Sequence, residues 1–323
     1  MKKVLVILPN SIGGEKVLIG FAQGFKSNGC FVLTEDLRKL TTEKVKKFKP
    51  DIIFGYDYGF LYSDDAELKN YILSKQNKIK LIHYFADVPY EKFACVNKPE
   101  LYEEFKKINA ISYIWDENYK NSLPNCNYLP MAINYKSYKA EERKKMPITF
   151  VGRPLLEKRE KILCALIKKF GSKVNIYSYE KHFLESIKKI KEKKLLSDSE
   201  IEVYKNAYRG YLETEQELAN VFYNSIVNIN ITIQGESGLN HRIFAVLASK
   251  GFLLTDDVED IHKYFINSKE LEVYKNVDEL IDKTEFYLKN KEIAQKIGIL
   301  GFAKVAKSHN YTARVNKILN DIK

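Results

Sequence analysis

Short runs of β-branched and aromatic residues alternate with stretches of helical period along most of the chain, and this alternation restricts the fold more than any other feature. VLVIL (residues 4–8) is followed by a helical stretch near 15–28, then CFVLT, then TTEKVKKF. DIIFGYD, a helix around 66–74, KLIHYFAD, a helix around 100–108 and AISYIWDE continue the series. Such a series folds as a parallel sheet covered on both faces. The text then changes to PMAINYKSYKAEERKKMP, with proline near each end and a charge run inside, which predicts a linker over 131–146. A second series begins at once: ITFVG, a helix over 155–170, KVNIYSY, a Lys-rich helical insertion, a helix around 214–224, SIVNINIT, a helix after Gly238, GFLLTDD and C-terminal helices. The expected fold class is α/β: two Rossmann-like βαβ domains, 1–130 and 147–305, with parallel sheets facing a central cleft. Residues 306–323 are expected to form a C-terminal helix able to pack back on the first domain.

Length agrees with this division, because 323 residues exceed what one growing core usually holds. The N-terminus MKKVLVILPNSIGG has an apolar run of only about six residues, against the roughly 18 to 20 that cross a bilayer, so it is expected to be a first buried strand. Four cysteines (Cys30, Cys95, Cys126, Cys164) lie far apart without a CxxC pair, the usage of reduced structural thiols in a cytoplasmic protein, and no metal site is expected. The net charge of +11 is spread over Lys-rich faces such as KKIKEKKLL (188–196). No Arg stripe interleaves with aromatics, so nucleic acid is not an expected partner; solvated helix faces account for most of the charge, and peripheral contact with an anionic membrane stays open.

Ligands of open α/β sheets bind beyond the carboxyl ends of the strands, so residues there are the candidates. In the first series NSIGGE (10–15) joins a strand to a helix, and its two glycines permit close backbone approach to an anion or hydroxyl; a tight turn explains them equally well. HYFADVP sets His83 within a strand and Asp87 just past its end, where a carboxylate can orient or deprotonate an acceptor hydroxyl, or cap the next turn. Asp57 and Asp116 end neighbouring strands, a place turns often recruit Asp.

The second series carries more. GRPLLEKRE is a turn at Gly152 followed by a helix whose first turns hold Arg153, Lys158 and Arg159, cations that oppose the helix dipole unless a diphosphate sits there. Salt bridging to Glu157 or Glu160 is the competing explanation. In QGESGLNHRIF, Arg242 again sets a cation at a helix start, Asn240 can bond hydroxyls or phosphate oxygens, Gly238 lets backbone approach, and Glu236 can accept from sugar hydroxyls. Caps and turns explain any one of these residues.

FVGRPLLEKRE, YNS leading into VNIN, GLNHRIFAVLASKGFLLTDD and the tail GFAKVAKSHNYTARVNKIL, with its His-x-Tyr-x-x-Arg ending, resemble the CgeB-like spore-maturation branch of the group 1 glycosyltransferases, of GT-B fold. YLPMAIN and FADVP are weaker marks, and the resemblance is good from about Asn127 onward. It implies a nucleotide-diphosphate sugar, a UDP-sugar foremost, held by the C-terminal domain without metal or further cofactor. It also implies a glycan, lipid-linked or protein acceptor on the N-terminal domain. Carried over, Arg153, Lys158 and Arg242 contact phosphates, Asn240 and Gly238 lie beside phosphates or sugar, and Tyr211 lies near the nucleobase. Where relatives show Arg-x-Phe-Glu this chain has RIFA, so the ribose-holding glutamate is Ala245. The Lys-rich insertion 182–206 is a second departure. Glycosyl transfer is the function so implied; an epimerase on the same fold, or an inactive glycan-binding or assembly module, are the alternatives.

Overall fold

The computed structural model describes residues 1–9, 12–56, 65–74, 76, 78–87, 99–108, 110–233 and 238–323. The chain divides into two compact units. Unit 1 holds residues 1–132 and 309–323 together with Gly238 and Leu239; unit 2 holds 133–233 and 240–308.

In unit 1 the elements are β1 (Lys3–Leu8), α1 (Ile12–Ser27), β2 (Phe31–Asp36), α2 (Thr42–Phe48), β3 (Ile52–Tyr56), α3 (Ala66–Leu73), β4 (Lys80–Phe85), α4 (Pro99–Lys107), β5 (Ile111–Ile114) and β6 (Cys126–Tyr128). The strands form one sheet in the order β2-β1-β3-β4-β5-β6, every pair parallel. Val4 to Ile7 and Leu81 to Phe85 are buried without alternation, as strands covered on both faces must be.

Unit 2 runs β7 (Met146–Val151), α5 (Glu157–Phe170), β8 (Val174–Tyr177), α6 (Glu180–Glu192), α7 (Asp198–Asn206), α8 (Glu215–Asn224), β9 (Ser225–Asn230), α9 (His241–Ala248), β10 (Leu253–Asp256), α10 (Glu259–Tyr264), β11 (Glu272–Tyr274), α11 (Val277–Lys289) and α12 (Lys291–Ser308). Its sheet order is β11-β10-β9-β7-β8, again all parallel. Both units are Rossmann-like. Local chemistry sets the helix starts: Ser197 with Glu200 and Thr214 with Glu217 form reciprocal capping boxes at α7 and α8. The Lys-rich insertion becomes α6 and α7, whose buried Phe183, Ile190, Ile201 and Tyr204 join the core of unit 2.

Residues 133–145 do not hang free. The Glu141 and Arg143 N–H groups donate to Asn220 and Asn224 of α8, each at 2.8 Å, and Asn224 returns a bond to the Glu141 carbonyl. The last helix, α13 (Tyr311–Asp321), packs on α1 in unit 1. Gly20 and Gly24 make that approach possible, since a Cβ on Gly20 would fall 2.2 Å from the Tyr311 ring and one on Gly24 2.6 Å from the Tyr311 carbonyl oxygen. The HNYTAR ending therefore has a structural role. Arg314 donates to the carbonyls of Pro130 (2.8 Å) and Met131 (3.1 Å) and bonds His309 Nδ1 (2.8 Å).

Candidate functional site

The carboxyl ends of β7, β9 and β10 in unit 2 gather the cationic residues singled out above. Gly152 follows β7 with φ +143°, and a Cβ there would lie 2.1 Å from Arg242 Nη2. Only glycine leaves room for the Arg242 guanidinium. Arg242, on the first turn of α9, donates from Nη1 to Asn230 Oδ1 (2.8 Å) and stands 5.2 Å from the Phe150 ring centroid. Enclosure by protein lowers its pKa from 12.5 to about 10, against the pull of the Asp256 charge.

Asn240 is the N-cap of α9 and accepts from the Ile243 N–H. Its amide also donates to Asn230 Oδ1 (3.2 Å) and Thr232 Oγ1 (3.3 Å). The network ends on Asp256, a carboxylate with only 6% of its side chain exposed. Asp256 accepts the Thr232 N–H on both oxygens (3.0 Å each), the Thr232 hydroxyl (3.0 Å) and the Lys158 ammonium (2.6 Å). Lys158 is not paired with Glu157 or Glu160, which pair with Lys161 and Lys193. Lys158 instead reaches across to β10.

Arg159, its neighbour in sequence, turns inward. Nε and Nη2 donate to the Ile231 carbonyl (3.1 and 2.8 Å) and Nη1 to the Arg153 carbonyl (2.8 Å). Burial, with the nearby positive charge of Arg242, lowers its pKa to about 9. Arg153 itself is exposed and makes no ion pair among the described residues. Three cationic side chains thus act on one carboxylate, Lys158 by direct pairing and Arg159 and Arg242 through their charges, an arrangement that favours an anion of more than one charge.

Tyr211 stacks on Tyr179 with ring centroids 3.7 Å apart and planes 19° apart, and Tyr179 donates to the Tyr211 hydroxyl at 2.6 Å. Both rings are about half exposed, at 51% and 45%. They stand beyond the carboxyl end of β8, a flat aromatic platform suited to a base or a sugar ring. Ala245 is buried in α9.

In unit 1, His83 is enclosed within β4, with Gly55 of β3 as its register partner. A Cβ on Gly55 would meet the His83 ring at 3.6 Å. Asp87 lies two residues past β4 and is exposed. Asp116 is buried, caps the turn that starts at Glu117 and accepts the Gly238 N–H at 3.1 Å. Gly238 is held tightly: a Cβ there would fall 2.5 Å from the Trp115 ring and 2.9 Å from Asp116 Cβ. Its backbone therefore packs on Trp115 and Asp116 of unit 1, whereas Asn240 and Arg242 belong to unit 2. Glu236, Asp57 and the Asn10–Ser11 start of NSIGGE lie outside the described residues.

Asp256, Asn230, Thr232 and Tyr179 were not singled out from the sequence. The signal available for three of them was position: each of Asn230, Thr232 and Asp256 ends or follows a strand of unit 2. Among the described residues no group of three or more His, Cys, Asp or Glu side chains is placed to hold a metal ion, and no helix is long and apolar enough to cross a membrane.

A model of the glycosyl transferase-like family matches residues 158–320. No curated protein matches the chain in sequence. Among solved structures, HepE from Anabaena in complex with UDP is similar with a TM-score of 0.69 at 9% identity, over 100% of this chain and 99% of that one. Sucrose-phosphate synthase from Thermosynechococcus elongatus is similar with a TM-score of 0.66 at 12% identity, over 100% and 98%. A glycosyltransferase from Rickettsia africae gives 0.65 at 13%, over 99% and 97%. HepE has also been solved in complex with UDP-glucose. The likeness to these proteins is one of fold, the GT-B pairing of two parallel-sheet Rossmann-like domains.

Proposed function

The chain belongs to the glycosyl transferase-like family, and on that premise we propose that it moves a sugar from a UDP-sugar to a hydroxyl or amide of a glycan, lipid-linked or protein acceptor without a metal ion. The observation that carries this reading is the convergence of cations at the strand ends of unit 2, where the buried Asp256 holds Lys158, Asn230 holds Arg242 and the exposed Arg153 follows β7. A departing nucleoside diphosphate gains negative charge as the glycosidic bond to it breaks. Fixed cationic donors bind that developing charge more tightly than the ground state, which lowers the barrier. They perform the task a divalent ion performs elsewhere.

Within this reading the diphosphate takes the free donors of Arg153 and Arg242 and the ammonium of Lys158, which Asp256 holds in place. Asn240 and Thr232 complete the polar floor, and Gly152 leaves the room in which the Arg242 guanidinium meets the phosphates. The nucleobase takes the Tyr179–Tyr211 platform. UDP bound to HepE supports uracil as the base. Glu236 is the candidate to bond donor sugar or ribose hydroxyls, since Ala245 offers no acceptor beyond its backbone. Asp87 is an exposed carboxylate just past β4 that can take a proton from the acceptor in an inverting transfer, and buried His83 supports the strand that presents it. The GRPLLEKRE, HRIF and HNYTAR stretches favour the CgeB-like branch, and a cytoplasmic enzyme with access to an anionic membrane surface fits the Lys-rich faces.

The test is a thermal-shift panel of UDP, GDP, dTDP, ADP and CMP, each with and without EDTA. UDP at about 100 times its dissociation constant adds roughly 2.7 kcal/mol of stability, and the shift survives EDTA. Silence across the panel, or a UDP shift that EDTA removes, overturns the reading or its metal-free form respectively.

A further inference from the structure

Unit 1 contains a concavity at the opposite ends of its strands from Asp87. It has a volume of about 970 Å³ and lies where the chain leaves α3 and α4 and enters β4 and β5. Its floor is apolar: Ile72 and Leu73 at the end of α3, Ile79 and Leu81 entering β4, and Ile108 and Ile111 between α4 and β5. Its rim carries Lys69, Lys78, Lys80 and Lys107 against one acid, Glu104.

These lysines differ from their neighbours on the same helices. Glu67 of α3 is taken by Lys46 and Glu103 of α4 by Lys106, so the local acids are already paired. Lys80 donates to the Ile322 carbonyl, and Lys69, Lys78 and Lys107 have no carboxylate partner among the described residues. The C-terminal ends of α3 and α4 point toward the same place and offset part of this charge, each by about half an elementary charge. Four ammonium groups, less one carboxylate and two half-charges, still leave a surplus of about two positive charges. The helix ends alone therefore do not account for the rim.

An apolar floor under an unneutralised cationic rim selects for a ligand with both properties. A free anion would leave the floor wet, and a neutral alkyl chain would leave the charges without partners. The volume is within the range of about 300 to 1,000 Å³ that holds a small ligand. We propose that this concavity binds a single-chain anionic amphiphile, a hydrocarbon chain ending in a phosphate or carboxylate, with the chain on Ile79, Ile108 and Ile111 and the head group among Lys69, Lys78 and Lys107. The inference is independent of the donor site, which lies in unit 2.

The experiment uses the full chain and calorimetric titration with decyl phosphate below its micellar concentration, beside decyltrimethylammonium and inorganic phosphate. Decyl phosphate is expected to bind with a stoichiometry near one. Lys69→Glu with Lys107→Glu is expected to weaken it at least ten-fold, and Leu73→Glu, on an already exposed apolar position, to weaken it as well. Unchanged UDP binding and circular dichroism establish that the variants fold. Equal binding of the cationic amphiphile reduces the site to a greasy surface, equal binding of inorganic phosphate reduces it to an anion patch, and an unaffected double variant removes the lysines; each of these overturns the proposal. So does an absence of decyl phosphate binding to the unaltered chain.

Discussion

Replacing Arg242 by methionine separates a ligand-binding arginine from a structural one, because the two roles shift fold stability and nucleotide affinity in different directions. Enclosure lowers the Arg242 pKa from 12.5 to about 10, a cost to the charged form on the order of 3 kcal/mol. The residue keeps some solvent contact, and screening reduces the usable figure to about 1–2 kcal/mol. Methionine removes that cost and also removes the bond to Asn230 Oδ1, a net loss of about 1 kcal/mol. Asn230 Oδ1 is not orphaned, since Asn240 still donates to it at 3.2 Å. The two terms nearly cancel, so the unliganded variant is expected to melt at the same temperature or up to about 4 °C higher. UDP affinity, in contrast, is expected to fall by about 1.5–3 kcal/mol, or roughly 10- to 150-fold, the worth of a charge-assisted bond to phosphate. Scanning calorimetry and UDP titration on the same preparation decide the matter. A variant that melts several degrees lower and binds UDP as before would place Arg242 in the fold and not in the site.

Gly152→Ala reaches the same guanidinium from the other side. The new methyl would meet Arg242 Nη2 at 2.1 Å on a backbone with φ +143°, so a loss of about 1–3 kcal/mol in thermal stability is expected, with weaker UDP binding; a melt and a titration that match the parent would refute the close approach. The depressed pKa values of Arg159, about 9, and Arg242, about 10, predict a pH dependence of binding. Both groups lose protons in the free protein as pH rises through 9 to 10, and a diphosphate, already fully ionised there, draws the protons back. UDP binding at pH 9.5 should therefore take up protons and weaken with rising pH. Calorimetry in two buffers of different ionisation enthalpy measures the uptake, and none or a release refutes it.

The double series of strands and helices was legible because its signal is local. VLVIL, KLIHYF and SIVNIN are apolar or β-branched runs flanked by helical stretches, and no distant partner is needed to recognise them. The cations of the proposed site could be singled out for an electrostatic reason: Lys158 and Arg242 stand at helix starts, where the dipole opposes them. Their shared anchor could not. Asp256 in LLTDD has the look of an Asp ending a strand before a turn, and its partners Thr232 and Lys158 lie 24 and 98 residues away. Helical period did hold a clue for Arg159, which shares the buried face of α5 with Ile162, Leu163 and Leu166, whereas Lys158 points off that face. The pairing of Tyr179 with Tyr211 spans an insertion of two helices, and only the course of that insertion brings the rings together.

Charge alone would not have distinguished the arginines proposed to bind from those that build. Arg159 and Arg314 are each 8% exposed and carry the same charge as Arg242. Their fork of five N–H donors is directed at backbone carbonyls, of Ile231 and Arg153 in one case and of Pro130 and Met131 in the other, with His309 as a further partner of Arg314. Each ties its own helix to chain that lies outside the strands, which is work within the fold. Arg242 makes one side-chain bond, to Asn230, and Arg153 makes no ion pair among the described residues. The donors left over on these two are what a diphosphate can take without breaking an existing bond. Binding then gains charge-assisted hydrogen bonds and loses none, whereas drawing Arg159 or Arg314 to a ligand would leave buried carbonyls unpaired at about 1–3 kcal/mol each. The unused donor capacity near one fixed carboxylate, and not the net charge of +11, is what makes the strand ends of unit 2 the candidate site.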